Sequence, residues 1–190
     1  MRVNQPRIAP VQDAEFTDEQ RESVAQQQRR RPGSILNVQR TLFRAPSAAT
    51  AFGHWAGYVM SERNSLPARQ REIVILRVGF LCKSGYEFAQ HERLGLQSGL
   101  TADEIARIKA GADAGWTAAD AALIRAADDL VGAHFVSDPT WAQLRAHFDE
   151  KQCMDVVFTA AQYTQVSMIL NSFGVQLDPG QTLDPDLKAH

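Results

Sequence analysis

The strongest apolar signal in the chain runs Ile73-Val74-Ile75-Leu76, is crossed by Arg77, and resumes through Val78, Phe80 and Leu81. On a helix drawn over Ala68–Leu81 these positions surround the axis instead of marking one stripe, and no period-two alternation competes. The length of the segment and its charged lead Arg69-Gln70-Arg71-Glu72 predict a helix buried on several sides, although the β-branched content leans toward a strand. Pro67 suits the start of this helix. Ser84-Gly85 supplies a break, and a second helix is expected over 86–98.

Around that centre the pattern is helical throughout. A first helix over 17–31 has a thin apolar face, mainly Val24 and Ala25, so it must lie on something larger, such as a second subunit. Pro32-Gly33 ends it. A short helix is expected over 35–43. Another covers 48–60, with Phe52, Trp55, Ala56, Val59 and Met60 at helical spacing and Pro46 in its first turn. Small residues at Ala48, Ala49, Ala51, Gly53 and Gly57 let a neighbouring helix approach. Thr101 followed by Glu104 is a capping box for a helix over Ala102–Ala110. Thr117 with Asp120 marks a weaker start, and Ser137-Asp138-Pro139 marks another. Asp149 with Gln152 opens a long helix through Val156, Ala160, Tyr163, Ser167 and Asn171. The sum is seven or eight helices with short connections. Residues 1–16 show no period, and after Gly174 the pattern dissolves into a tail with Pro179, Gly180 and Pro185.

Composition narrows the function. The 190 residues suit one ordinary domain. With 20 Lys and Arg against 22 Asp and Glu, no strong field recruits nucleic acid or an anionic membrane. The basic run Arg29-Arg30-Arg31 reads as a solvated helix end, with a partner or anionic ligand as the alternative. The N-terminus has no long apolar run of the secretory type, and no apolar stretch reaches the roughly 20 residues of a membrane span. Cytoplasm is therefore the expected location. The two cysteines, Cys82 and Cys153, form neither a disulfide framework nor a CxxC pair.

The polar residues that break the apolar pattern are the candidates for chemistry. Glu72 shares a helix face with Ile75, Leu76 and Gly79. It is either a first-turn carboxylate favoured by the helix dipole or a carboxylate at the mouth of a cavity. Glu87 and His91 are four apart. They form either an ordinary surface pair or a couple in which the acid orients and charges the imidazole. With Glu72 they supply three potential metal donors at loose spacing, and no metal is expected. Gly79 and Gly85 make room beside this group. Tyr86 is a hydrogen-bond donor for an oxyanion, or a core residue. Cys82 is a packed thiol or a lone nucleophile. His54 faces a cavity from another wall or is a bonded structural histidine. Arg77 pairs with an acid, or it holds a substrate carboxylate. Tyr163 and Asn171 are candidates to line a pocket from the last long helix.

The stretch Leu66-Pro67-Ala68-Arg69-Gln70-Arg71-Glu72-Ile73-Val74-Ile75-Leu76-Arg77-Val78 resembles the opening of the carboxymuconolactone decarboxylase and alkylhydroperoxidase D (AhpD) superfamily. Tyr86-Glu87-Phe88-Ala89-Gln90-His91, followed by Gly99-Leu100-Thr101-Ala102-Asp103-Glu104-Ile105, is similar to its continuation. The resemblance implies an all-α, AhpD-like multi-helix bundle assembling into symmetric dimers, trimers or hexamers, with a pocket near Glu72 and His91. The helical plan it implies covers a core domain over 35–175, followed by a tail over 176–190; the polar arm and helix over 1–34 are extra to the decarboxylase-like branch and are expected to pack on a partner subunit.

In the peroxidase-like branch a CxxC pair works with a glutamate and a histidine. Glu72 and His91 match those two residues, while Ser84 and Glu87 stand where the cysteines would be. A dithiol cannot form from that pair. The decarboxylase-like branch, which needs no thiols and no cofactor, fits better. It implies a small carboxylate or lactone substrate, His91 as the proton-transfer residue, Glu87 orienting it and Glu72 tuning it. Tyr86, His54, Arg77 and Cys82 are the candidates for holding substrate. The alternatives are a non-classical thiol or peroxide oxidoreductase using Cys82 and a non-catalytic binding protein on the same scaffold.

Overall fold

The computed structural model describes residues 2–30 and 33–188. Arg31 and Pro32, the end of the basic run and the proline after the first helix, lie outside them. Among the described residues there are nine α-helices: α1 (Asp18–Arg30), α2 (Asn37–Leu42), α3 (Pro46–Val59), α4 (Ala68–Leu81), α5 (Gly85–Gln97), α6 (Ala102–Ala110), α7 (Ala118–Gly132), α8 (Asp138–His147) and α9 (Glu150–Phe173). The count exceeds the expected seven or eight, and α2 and α3 are separate, as the short helix over 35–43 and the helix over 48–60 predict. Pro46 sits in the first turn of α3, and its missing N–H and fixed φ favour a fresh start over continuation. No helix among the described residues is long and apolar enough to cross a membrane.

Helix α4 is the axis. Every residue from Arg71 to Gly79 is buried, and α5, α6, α7 and α9 all pack against it. That is why its apolar residues surround the helix: it has no solvent face to leave polar. The capping signals work as the sequence predicts. Glu104 N donates to Thr101 Oγ1 at 3.1 Å while Thr101 N donates to Glu104 Oε2 at 2.8 Å. Asp149 and Gln152 make the same reciprocal pair at the start of α9.

The turn between α4 and α5 spans 82–84, at the break that Ser84-Gly85 predicts. Lys83 takes the left-handed conformation, at φ 54°. Ser84 N then donates to Gly79 O and Lys83 N to Phe80 O, closing the end of α4 in a Schellman pattern. Gly85 is simply the first residue of α5. This tight reversal lays α5 back along α4.

Both ends of the chain are fastened to the bundle. Arg7 N and Ile8 N donate to Phe173 O at the end of α9, and Val11 and Phe16 are buried. Helix α1 is held by Gln20, whose amide donates to Phe43 O, and by the Gln27–Gln39 pair. The tail is ordered by Asp178, which accepts from Asn37 N and Tyr86 Oη, and by Leu187, which enters the main core.

The connection between α3 and α4 hangs on one buried carboxylate. Asp155 accepts from Tyr58 Oη at 2.6 Å, Ser65 N at 2.7 Å, Ser65 Oγ at 2.6 Å and Lys151 Nζ at 2.6 Å. Burial opposes its charge, but these donors together hold its pKa down to about 2. Asn64 adds a bond from its side chain to Thr159 Oγ1 at 3.1 Å. Asp155→Ala should lower unfolding stability by about 3 kcal/mol, because buried donors lose their acceptor together. A urea midpoint matching the parent would show that this carboxylate does not fasten the connection.

Candidate active site

The α4–α5 reversal brings Glu72, near the start of α4, beside His91, one and a half turns into α5. Glu72 Oε2 lies 2.7 Å from His91 Nδ1, and Glu87 Oε1 lies 3.0 Å from His91 Nε2. All three side chains are buried, with His91 6 % exposed. Glu72 is therefore not a first-turn surface acid, and Glu87–His91 is not a wet surface pair. The three groups form a line with a carboxylate on each ring nitrogen. Both nitrogens thus have acceptors in place for an imidazolium. Burial works against that charge, but the charges of Glu87 and Glu72 and their hydrogen bonds outweigh it and push the His91 pKa up to about 10.

The wall of this line comes from α9. The Tyr163 ring stands edge-on to the His91 ring, with centroids 4.8 Å apart. Its hydroxyl donates to Met60 Sδ at 2.9 Å. Burial raises the phenol pKa, the charges of Glu87 and Glu72 raise it further, and Arg71 pulls the other way. Tyr163 was legible only as a pocket candidate. Nothing in its spacing ties it to His91, 72 positions earlier. Asn171 instead donates to Cys82 O at 2.9 Å.

The other predicted residues lie apart from the line. Tyr86 donates to Asp178 Oδ2 at 2.6 Å and packs in a separate small cluster with Val166, Leu170 and Val175. Burial and then the Asp178 carboxylate keep its hydroxyl protonated. Arg77 donates to Asp128 Oδ1 at 2.6 Å and to the Ile108 and Lys109 carbonyls at 2.9 Å each, so it holds α6 and α7 onto α4. His54 is exposed on α3. Cys82 is half-buried at the end of α4, where burial pushes its thiol pKa up. Cys153 is buried in the main core, and both cysteines are free. Gly79 faces Glu87, but a methyl group there would sit 3.4 Å from Glu87 Cγ, at ordinary contact. That glycine is not what makes the space.

One arginine that spacing did not single out stands close by. Arg71, next to Glu72 on α4, is 9 % exposed. Its Nη1 donates to Ser61 O at 3.3 Å. It lines a cavity of about 350 Å³ in the α3–α4 connection, together with Met60, Asn64 and Leu66. Met60 is thus shared between this cavity and Tyr163.

Residues 46–129 match the Carboxymuconolactone decarboxylase family. The matched stretch contains Glu72, Ser84, Glu87 and His91 and ends before Tyr163. No curated protein matches the sequence. Solved structures share the fold. A peroxidase-related protein from Silicibacter sp. TM1040 superposes with a TM-score of 0.76 at 14 % identity, over 94 % of this chain and 92 % of that one. The debrominase Bmp8 gives 0.73 at 14 %, over 90 % and 92 %. An alkylhydroperoxidase AhpD core protein from Ralstonia eutropha JMP134 gives 0.69 at 20 %, over 90 % and 92 %.

The raised His91 pKa has a stability signature. In the unfolded chain the ring titrates near its ordinary 6.5, and in the fold near 10. The folded state therefore holds a proton that the unfolded state has released, between those two values. The stabilisation is complete below about pH 6.5 and drains away as pH rises to about 10. Urea unfolding of the parent should show that decline, and His91→Gln should flatten it. Parallel stability profiles for the two proteins would show that His91 is not the titrating group.

Proposed function

We propose that the chain, whose residues 46–129 match the Carboxymuconolactone decarboxylase family, belongs to the carboxymuconolactone decarboxylase and AhpD-like superfamily as a member that carries no CxxC pair. From that premise we propose that it is a cofactor-independent carboxy-lyase, or a related lactone-processing enzyme, acting on a small unsaturated carboxylated substrate. The observation that carries this reading is the buried Glu72–His91–Glu87 line. An imidazolium closed between two carboxylates is a poor stability device, because removing such charges from water costs most of what their attraction returns. It is a good store for one transferable proton.

In the proposed reaction the carbon–carbon bond to the departing carboxylate breaks and carbon dioxide leaves. The electron pair stays behind as a dienolate spread over the unsaturated lactone. A proton from the line then closes the valence at carbon, and water returns a proton to the line. Both ring nitrogens of His91 already face carboxylates, so the proton reaches substrate through a glutamate oxygen. The imidazole supplies it from behind. General acid catalysis of this kind is worth about 10²–10⁴-fold.

The thiol alternative has less support. The shift of Cys82 is toward the protonated, less nucleophilic form, and Cys153 lies in the main core. The exposed position of His54 and the engagement of Tyr86 and Arg77 leave them weaker choices for holding substrate than the sequence suggested.

The test is carbon dioxide release from a panel of unsaturated carboxylated lactones. His91→Gln should reduce turnover by about 100-fold or more while leaving the helical circular dichroism signal intact. Equal turnover by the variant removes His91 from the mechanism. If no lactone is turned over, while peroxide reduction depends on Cys82 and a thiol reductant, the oxidoreductase reading replaces this one.

A further inference from the structure

Helix α9 is apolar on the side that faces away from the bundle as well as on the side that faces into it. Met154, Ala161 and Met168 recur every seven residues, so they stand in one row along the helix. All three are exposed, Met168 to 61 %. Val157 and Phe158 flank the row half-buried. No residue from Val156 to Phe173 is Asp, Glu, Lys or Arg, and the exposed polar residues further along, Gln165 and Ser172, are uncharged. A helix lying on a core ordinarily turns charged residues to solvent, and this one turns none.

Helix α3 widens the face. It packs against α9, its range also holds no Asp, Glu, Lys or Arg, and Val59 is its one buried residue. Trp55, 40 % exposed, meets Phe158 edge-on with ring centroids 5.5 Å apart, which sets it beside the α9 row. Ala51 and Ala48 continue that flank of α3 at the i−4 and i−7 positions, and both are exposed. Scattered exposed apolar residues are ordinary, but these form one surface. Side by side, helices about 21 Å and about 36 Å long and about 10 Å across present roughly 600 Å² in projection. Side-chain relief brings the accessible area toward the roughly 800 Å² that each partner of a stable complex buries. An uncovered apolar face of that size marks a contact site.

Three properties select the occupant. Without charges, the face can be laid against its own copy with no like charges opposed, whereas a partner recognised through charge finds nothing to pair with. It carries both projections, at Trp55, Met154 and Met168, and low ground, at Ala48, Ala51 and Ala161, so a two-fold axis can set one over the other. Ala161 lies midway between the two methionines. An axis there lets two α9 helices cross closely and antiparallel, each Met154 turned toward Met168 of the partner subunit. Lys151, the basic residue in the first turn of α9, is paired with Asp155 and would stand about 30 Å from its own copy, well beyond the screening length.

We propose that the α3–α9 face is a self-association surface, on which a second copy of this chain docks through a two-fold axis at Ala161. The assignment goes beyond the lyase reading and stands without it. The inner side of α9 sets Tyr163 against His91, and the outer side makes the contact.

Sedimentation equilibrium of the parent at micromolar concentration should give twice the monomer mass of 21.0 kDa. Ala161→Glu and Met168→Glu bring like charges together across the axis and should each weaken dimerisation by about 100-fold or more. Phe135→Glu, at an equally exposed residue in the α7–α8 connection, should leave the dimer unchanged. All three should keep the helical circular dichroism signal of the parent. Ala161→Cys should form a disulfide-linked dimer on mild oxidation that a reductant reverses, while the parent does not link; this small exposed substitution keeps the test intact if a glutamate variant fails to fold. Any parent mass other than that of a dimer overturns the assignment. So does a dimer that persists in both folded glutamate variants, or Ala161→Cys chains that do not link. A monomeric parent that sediments with phosphatidylcholine vesicles overturns it in favour of a lipid contact.

Discussion

A helix buried on every side has no solvent face on which to leave a charge, yet α4 carries Arg69, Arg71, Glu72 and Arg77. Much of the structure follows from where those charges go. Arg69 reaches outward to acids on α6 and α7. Arg77 closes the end of α6 with its carbonyls and takes Asp128 from α7. Glu72 takes the imidazole of α5. The partners are spread over α5, α6 and α7, so satisfying the charges also fixes how those helices surround α4. Unpaired, any of them would cost several kcal/mol in the interior.

The same constraint produces the candidate site. His91 answers Glu72 on one ring nitrogen and Glu87 on the other, and its proton is retained well above neutral pH because two negative charges outweigh the cost of burial. Tyr163 seals the line with its ring edge and spends its hydroxyl on a thioether, which leaves both carboxylates free to interact with the imidazole alone. Arg71 is the charge that the neighbouring helices do not fully satisfy, and it is also the one that borders a cavity.

The segments outside the central helices act as fasteners. Asp155 ties the α3–α4 connection to α9, and so sets the position of Met60 and Ser61 relative to Tyr163 and Arg71. Asp178 draws the tail onto α2 and α5 by taking Asn37 N and the Tyr86 hydroxyl. That second role diverts Tyr86 from the proton-transfer line, although it directly precedes Glu87 in the chain. Successive helix positions point about 100° apart, so the residue beside a site residue in sequence faces another neighbour.

Helix identity, most helix limits and the closeness of Glu87 to His91 were decided by the sequence alone, because periodicity, caps and i,i+4 spacing are local properties of the chain. The all-round burial of α4 was legible for the same reason: its apolar residues leave no side unoccupied. The left-handed turn at Lys83 was not legible, since a lysine carries no mark of that conformation. Nor were the long-range partners. Glu72 meets His91 only because that turn folds α5 back, and Tyr163, Arg71, Asp155 and Asp178 acquire their roles from residues far away in the chain. Burial, charge balance and a cavity wall are shared between helices, so no single stretch of sequence contains them, and only the packing of one helix on another decides them.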